Sequence, residues 1–154
     1  MVRLVAMDPA EFDPYFEAMT EEYLQENIRA GRWSAEEAPT EVAKQLQGLL
    51  PSGRSTPNHW FFTIRSEASE ETVGTAWLAV EPRGAFVYDI KVFEEFRRRG
   101  YAEGAMRLLE AVAREQGATK ILLHVFGYNA GARKLYQKLG YAETNVMMAK
   151  PLVR

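Results

Sequence analysis

Apolar residues recur at helical spacing along much of the chain, with short apolar runs between the helical stretches. Phe12, Phe16, Met19, Tyr23 and Ile28 share one stripe, and Asp8-Pro9 ahead of them has the form of an N-cap followed by a proline in the first turn. This predicts a helix running to about Ala30 and ended by Gly31. Ser34-Ala35-Glu36-Glu37 has the form of a capping box, but Pro39 sits awkwardly far inside it. The next helix is therefore expected to begin at Thr40, burying Val42, Leu46, Leu49 and Leu50. Ala105, Leu108, Leu109, Val112 and Ala113 mark a later helix stopped by Gly117, and Asn129 to Leu139 mark another ended by Gly140.

Strands are predicted at Val2–Val5, Trp60–Ile64, Val73–Val80 and Phe86–Val92. Lys120–Phe126 has no polar break after its first residue except His124, so it reads as a central strand. Tyr141–Lys150 is expected to supply a final strand or hairpin arm. Pro51–Asn58 and Ser66–Thr72 are connections by composition. Three consecutive hairpin-linked strands followed by a strand–helix–strand unit make an α/β fold, a mixed central sheet with helices on both faces.

The 154 residues are most simply one domain, 1–154, with enough chain for a substantial core. There is no cysteine, which excludes disulfides, thiolate metal sites and a cysteine nucleophile. His59 and His124 are the only histidines, so no histidine-rich metal site is expected and no metal is called for. The N-terminal residues do not form a signal peptide and no run is long enough to span a membrane, which makes a cytoplasmic protein the default. Charge is uneven: residues 1–50 carry 4 Lys/Arg against 10 Asp/Glu, and residues 91–154 carry 12 against 6. That fits a C-terminal part holding a polyanion and an N-terminal part meeting a cation, or chance clustering on solvated faces.

The most informative stretch is Phe96-Arg97-Arg98-Arg99-Gly100-Tyr101-Ala102, placed where a strand hands over to a helix. Free N–H groups in a first helical turn attract an anion, a glycine lets the backbone approach it, and arginine forks suit phosphate oxygens. A solvated basic turn capping a helix is the plainer reading. The spacing Arg97-x-x-Gly100-x-Ala102 resembles the pyrophosphate-binding signature of the GCN5-related N-acetyltransferase (GNAT) family. Asn129-Ala130-Gly131-Ala132-Arg133-Lys134-Leu135-Tyr136-Gln137-Lys138-Leu139-Gly140-Tyr141 resembles the segment that closes the cofactor site in the same family.

The resemblance implies the acyl-CoA N-acyltransferase fold, with acetyl-CoA lying where the strands before and after the pyrophosphate helix splay apart. It implies that Arg97, Arg98, Arg99, Gly100, Tyr101 and Ala102 hold the diphosphate, that the main chain around Ile90, Lys91 and Val92 pairs with the pantetheine arm, and that the Val92 N–H meets the oxyanion. Asn129 becomes a cofactor contact as well as an N-cap. Tyr136 becomes the acid that protonates the leaving thiolate, against its plainer reading as a core aromatic.

The general base is left open between Asp89, His124 and water. Asp89 is the only carboxylate in its strand, and regular alternation puts it on the face opposite Tyr88. His124 titrates in a suitable range but is also a simple structural histidine. Glu36 and Glu37, beside Trp33, could recognise a substrate cation or merely complement a helix dipole. The acceptor is an amine of a small molecule, peptide or protein. A non-catalytic acyl-CoA sensor is the rival reading. A phosphotransferase lacks its phosphate-binding motif here, and direct nucleic-acid binding finds no support at a pI of about 5.8. The oligomeric state is open, a homodimer included.

Overall fold

The computed structural model describes residues 1–153. Strand β1 (Val2–Ala6) leads into helix α1 (Pro9–Arg29) and helix α2 (Ala38–Leu49). Strands β2 (His59–Ser66), β3 (Thr72–Glu81) and β4 (Gly84–Val92) follow, then α3 (Tyr101–Glu115), β5 (Ile121–Leu123) and α4 (Ala130–Lys138). The sheet runs in sequence order, β1 to β5. The first four strands are antiparallel and β5 is parallel to β4. No helix among the described residues is long and apolar enough to cross a membrane.

Each face of the sheet is covered because each strand carries apolar side chains on both sides. On one face Ile64, Leu78, Ala85 and Val87 pack against Ala105, Met106, Leu109 and Ala113 of α3, with Tyr136 and Leu139 of α4 alongside. On the other, Phe61 and Trp77 pack against Phe12 and Met19 of α1 and Val42 and Leu46 of α2. Leu109, fully buried, contributes on the order of 2–3 kcal/mol of transfer free energy.

Helix α1 starts as its sequence dictates. The Glu11 carboxylate accepts from the Asp8 N–H at 3.1 Å while Asp8 caps the first turn, and Pro9 occupies the first helical position. The Ser34/Glu37 box also forms, with both reciprocal bonds at 3.1 Å. Helix α2 nonetheless begins at Ala38, two residues before the expected Thr40. Pro39 is accommodated because a second helical residue has no intrahelical N–H bond to lose.

Three other expectations need correction. Strand β5 has three residues rather than seven, and it lies at the sheet edge rather than in its centre. It ends at Leu123 because the chain there parts from β4, taking His124, Val125 and Phe126 out of the ladder. No strand forms after α4 among the described residues, so Tyr141–Lys150 supplies neither a strand nor a hairpin arm. The third correction lies within β4. Trp77 of β3 faces Asp89 but the next residue, Leu78, faces Val87, which leaves Tyr88 unpaired as a β-bulge. Ala85 and Val87 point to the α3 side, and unbroken alternation would send Asp89 there too. The extra residue turns Asp89 to the α1/α2 side beside Trp77 and sends Ile90 to the α3 side.

Candidate active site

A cavity of about 310 Å³ opens where β4 and β5 part. Its walls come from the far half of β4, the residues after β5, the start of α4 and the inner faces of α1 and α2. Tyr88, Asp89 and Ile90 line it together. The sequence-based expectation that at most one of Tyr88 and Asp89 reaches the site fails because the bulge cancels the alternation on which it rested.

Asp89 is partly buried and accepts a 2.9 Å hydrogen bond from the Tyr15 hydroxyl. Burial, the largest influence, pushes its carboxyl up to about 7, and the negative charges of Glu22 and Glu26 push the same way. The Tyr15 bond and the Lys91 ammonium oppose this. A carboxyl near neutrality is matched to taking a proton at physiological pH. Tyr136 lines the same cavity from α4, and burial raises its phenol above the ordinary tyrosine value, with the Asp89 charge adding to the rise. It therefore stays protonated at neutral pH and has a proton to give. Its ring meets Tyr141 edge-on at 5.9 Å.

His124 also lines the cavity, just beyond β5, its ring edge-on to Phe126 at 4.8 Å. Burial and the nearby Arg32 charge lower its pKa, so it is neutral at pH 7. Asn129 caps α4 by accepting from the Ala132 N–H at 3.2 Å, and it contributes to the cavity wall as well.

The backbone of β4 offers its groups selectively. Phe93 N–H bonds to Val73 C=O at 2.9 Å, and antiparallel pairs alternate between bonded and unbonded. Lys91 is thus turned to β3, whereas the N–H and C=O of Ile90 and Val92 point to the side that β5 has vacated. Of the three residues expected to offer their main chain there, Lys91 does not. Its side chain pairs with Glu22 of α1 instead. Gly74, opposite Val92, is obligatory: a Cβ there would stand 2.0 Å from the Lys91 oxygen.

The basic turn follows at once. Among the described residues, the N–H groups of Arg98 through Glu103 have no backbone acceptor, and the first intrahelical bond of α3 is Gly104 N–H to Gly100 C=O at 3.1 Å. Gly100 has φ +81° and Arg98 φ +64°, left-handed conformations that swing successive N–H groups to one side. This array suits a diphosphate. The arginines are unequal. Arg97 Nε donates to Val92 C=O at 2.9 Å, bracing the turn against β4, while Arg99 donates to Glu95 C=O at 3.3 Å and lies over the Phe96 ring. Tyr101 directs its hydroxyl at Ser66, 3.4 Å away, so only its main chain can serve an anion. Ala102 lies in the first turn.

The model of the acetyltransferase (GNAT) family matches residues 13–141. The chain belongs to that family. YycN of Bacillus subtilis, described as an uncharacterised N-acetyltransferase, is 37% identical over 155 residues, covering 98% of this chain and 99% of YycN. YdgE of the same organism, described likewise, is 36% identical and covers 95% of each chain. The YycN crystal structure superimposes with a TM-score of 0.92 over 100% of both chains. The family's acetyl donor fits this chain on its own geometry, through the free N–H array before α3 and the vacated edge of β4.

Glu36 and Glu37 do not line the cavity, and Glu37 is tied to Ser34 in the turn before α2. Glu22, Glu26, Tyr15 and Arg32 are the functional candidates that the sequence did not single out. Glu22 and Glu26 stand one turn apart on the face of α1 that carries Met19 and Tyr23, a spacing that sequence periodicity could have exposed. Nothing in sequence pairs Tyr15 with Asp89.

Proposed function

We propose that residues 1–154 act as one cytoplasmic domain that transfers an acetyl group from acetyl-CoA to a primary amine of a small molecule, peptide or protein, by direct attack on the thioester. The observation that carries this reading is the convergence of Asp89 and Tyr136 on one cavity walled by β4, the strand that leads into the N–H array of α3. Asp89 takes a proton from the incoming ammonium and frees the nucleophilic nitrogen. The C–N bond forms, the C–S bond breaks, the Val92 N–H faces the carbonyl oxygen, Tyr136 donates its proton to the departing sulfur, and the second proton lost by the attacking nitrogen restores the phenol. His124 is a wall residue in this scheme rather than the base, because Asp89 alone has both the raised pKa and a positioning partner. Arg97, Arg99 and the 98–103 N–H groups hold the diphosphate. Glu22 and Glu26 at the cavity wall favour a cationic acceptor.

The test is acetyl-CoA-dependent thiol release across a panel of amines that includes monoamines, diamines, amino acids and peptide N-termini. Turnover with a cationic amine supports the proposal. Tight acetyl-CoA binding without turnover on any amine would establish a sensor instead.

A further inference from the structure

We propose that His59 is a positioning residue of the acceptor cavity: its Nδ1 holds the Trp77 indole in the wall opposite Asp89, and only the neutral imidazole can do so. The Trp77 Nε1–H donates to His59 Nδ1 at 2.9 Å. Trp77 is 2% exposed, lines the cavity and faces Asp89 across the β3–β4 ladder. His59 opens β2, is half-buried and does not line the cavity itself. It acts on the site through the indole. The proposal rests on the acetyl-transfer reading only in taking this cavity as the place where the amine binds.

An indole has one polar group, a donor, and a buried donor needs an acceptor. The rings packed on Trp77 supply none. Phe61 lies 5.2 Å away between centroids and Phe16 6.2 Å. Tyr88 is closer, at 4.8 Å, but its hydroxyl donates to Glu81 Oε1 at 2.9 Å. His59 Nδ1 is therefore the group that fixes which way the indole points. Accepting at Nδ1 places the single ring proton on Nε2. The imidazole is itself held by stacking on Tyr88, with centroids 6.0 Å apart and planes 22° from parallel. Tyr88 is the bulged residue and also lines the cavity, so His59 touches two wall residues at once.

A second proton on the ring goes to Nδ1, and the imidazolium then sets an N–H against the indole N–H. Turning the ring over gives no relief, because both nitrogens now carry hydrogen. The bond is lost and the wall opposite Asp89 loosens. Burial pushes the His59 pKa below the ordinary histidine value of 6.5, against the charge of Glu81 on β3. Glu81 is itself engaged by Arg83 at 3.5 Å and by the Tyr88 hydroxyl of β4. Glu81 is the one charged group among the described residues that acts on the ring. The hold on Trp77 is thus complete at pH 7 and is lost as acid protonates His59.

Nuclear magnetic resonance of the three tryptophan indole N–H groups tests this, with Trp33→Phe and Trp60→Phe identifying the Trp77 signal by elimination. In the wild type that signal should leave its hydrogen-bonded position and exchange faster with water as pH falls from about 8 to about 5.5. His59→Gln offers an amide oxygen that cannot titrate, and there the signal should hold. This arm needs no turnover, so its outcome stands apart from the acetyl-transfer reading. Kinetics supply the second arm. Asp89 titrates in the same range in both proteins, so the ratio of wild-type to His59→Gln KM for the amine isolates His59. It should be near one at about pH 8 and rise several-fold by about pH 5.5, while the kcat ratio stays flat. A wild-type Trp77 signal indifferent to pH would overturn the proposal without any variant at His59. So would a signal that moves equally in His59→Gln, or a flat KM ratio.

Discussion

The Tyr15 hydroxyl reaches Asp89 Oδ2 at 2.9 Å, joining a residue in the second turn of α1 to one in the middle of the sheet, 74 positions away. The bond favours the ionised carboxylate and so restrains the upward push of burial. Tyr15→Phe removes the donor and keeps the ring, so the pKa of Asp89 should rise further. The acid limb of the kcat/KM profile should shift to higher pH, with a larger loss of activity at pH 6 than at pH 9. A profile superimposable on wild type would mean that Asp89 is not the base whose titration the profile reports.

Asp89 also sets a stability prediction. Its folded pKa of about 7 lies above the ordinary aspartate value of 3.8, so the folded state binds the proton more tightly than the unfolded chain. The site therefore costs nothing below pH ~4, an increasing amount between pH ~4 and ~7, and its full penalty above. Asp89→Asn keeps an oxygen acceptor for Tyr15 and removes the charge. It should stabilise the fold by on the order of 2 kcal/mol at pH 8, with little gain at pH 4, while turnover collapses. Urea unfolding at the two pH values measures the difference, and an equal gain at both would contradict the assigned pKa.

Tyr136→Phe keeps the ring against Tyr141 and deletes the proton donor. Acetyl-CoA affinity should change little and kcat should fall by roughly 10²–10⁴-fold. Because the phenol titrates above the ordinary tyrosine range, the alkaline limb of the wild-type profile should lie above pH ~10. A variant that turns over at the wild-type rate would make Tyr136 a packing residue.

Gly100 carries two requirements at once, a left-handed φ of +81° and backbone access for an anion. Gly100→Val should therefore lose about 1–2 kcal/mol of stability and also lose acetyl-CoA binding by calorimetry at a temperature where it is still folded. Normal affinity in the folded variant would reduce the turn to a helix cap. Arg99→Ala should weaken binding modestly and flatten its dependence on salt. Arg97→Ala should in addition destabilise the turn, since it frees Val92 C=O.

The helices and four of the strands were readable from periodicity and punctuation, because Asp8-Pro9, Gly117 and Gly140 mark real ends and the apolar stripes are long. The basic turn was readable because its chemistry is local, with arginines and a glycine adjacent in sequence. Asp89 was picked out by type and strand, but its facing was not, since a bulge depends on the partner strand and leaves no mark in the pattern of β4 itself. Glu22, Glu26 and Tyr15 went unnoticed for a related reason. Their role comes from the docking of α1 across β4, a contact between residues some 70 positions apart. The course of the last segment was unreadable because its apolar residues suit a strand whether or not a ladder partner reaches them.

The unpaired Tyr88 separates the two halves of β4. Below it, odd-numbered side chains turn to the α3 core, and beyond it Asp89 and Lys91 turn to the α1 side. Removing Tyr88 would let the ladder close without a bulge and keep Val87 and Asp89 on their present faces, because each already has its own partner on β3. Removing Val87 instead would leave Leu78 to pair with Tyr88 and drive a phenol toward the α3 core. Single-residue deletion should therefore lower folding yield far more at Val87 than at Tyr88, a difference that circular dichroism and the urea midpoint would read.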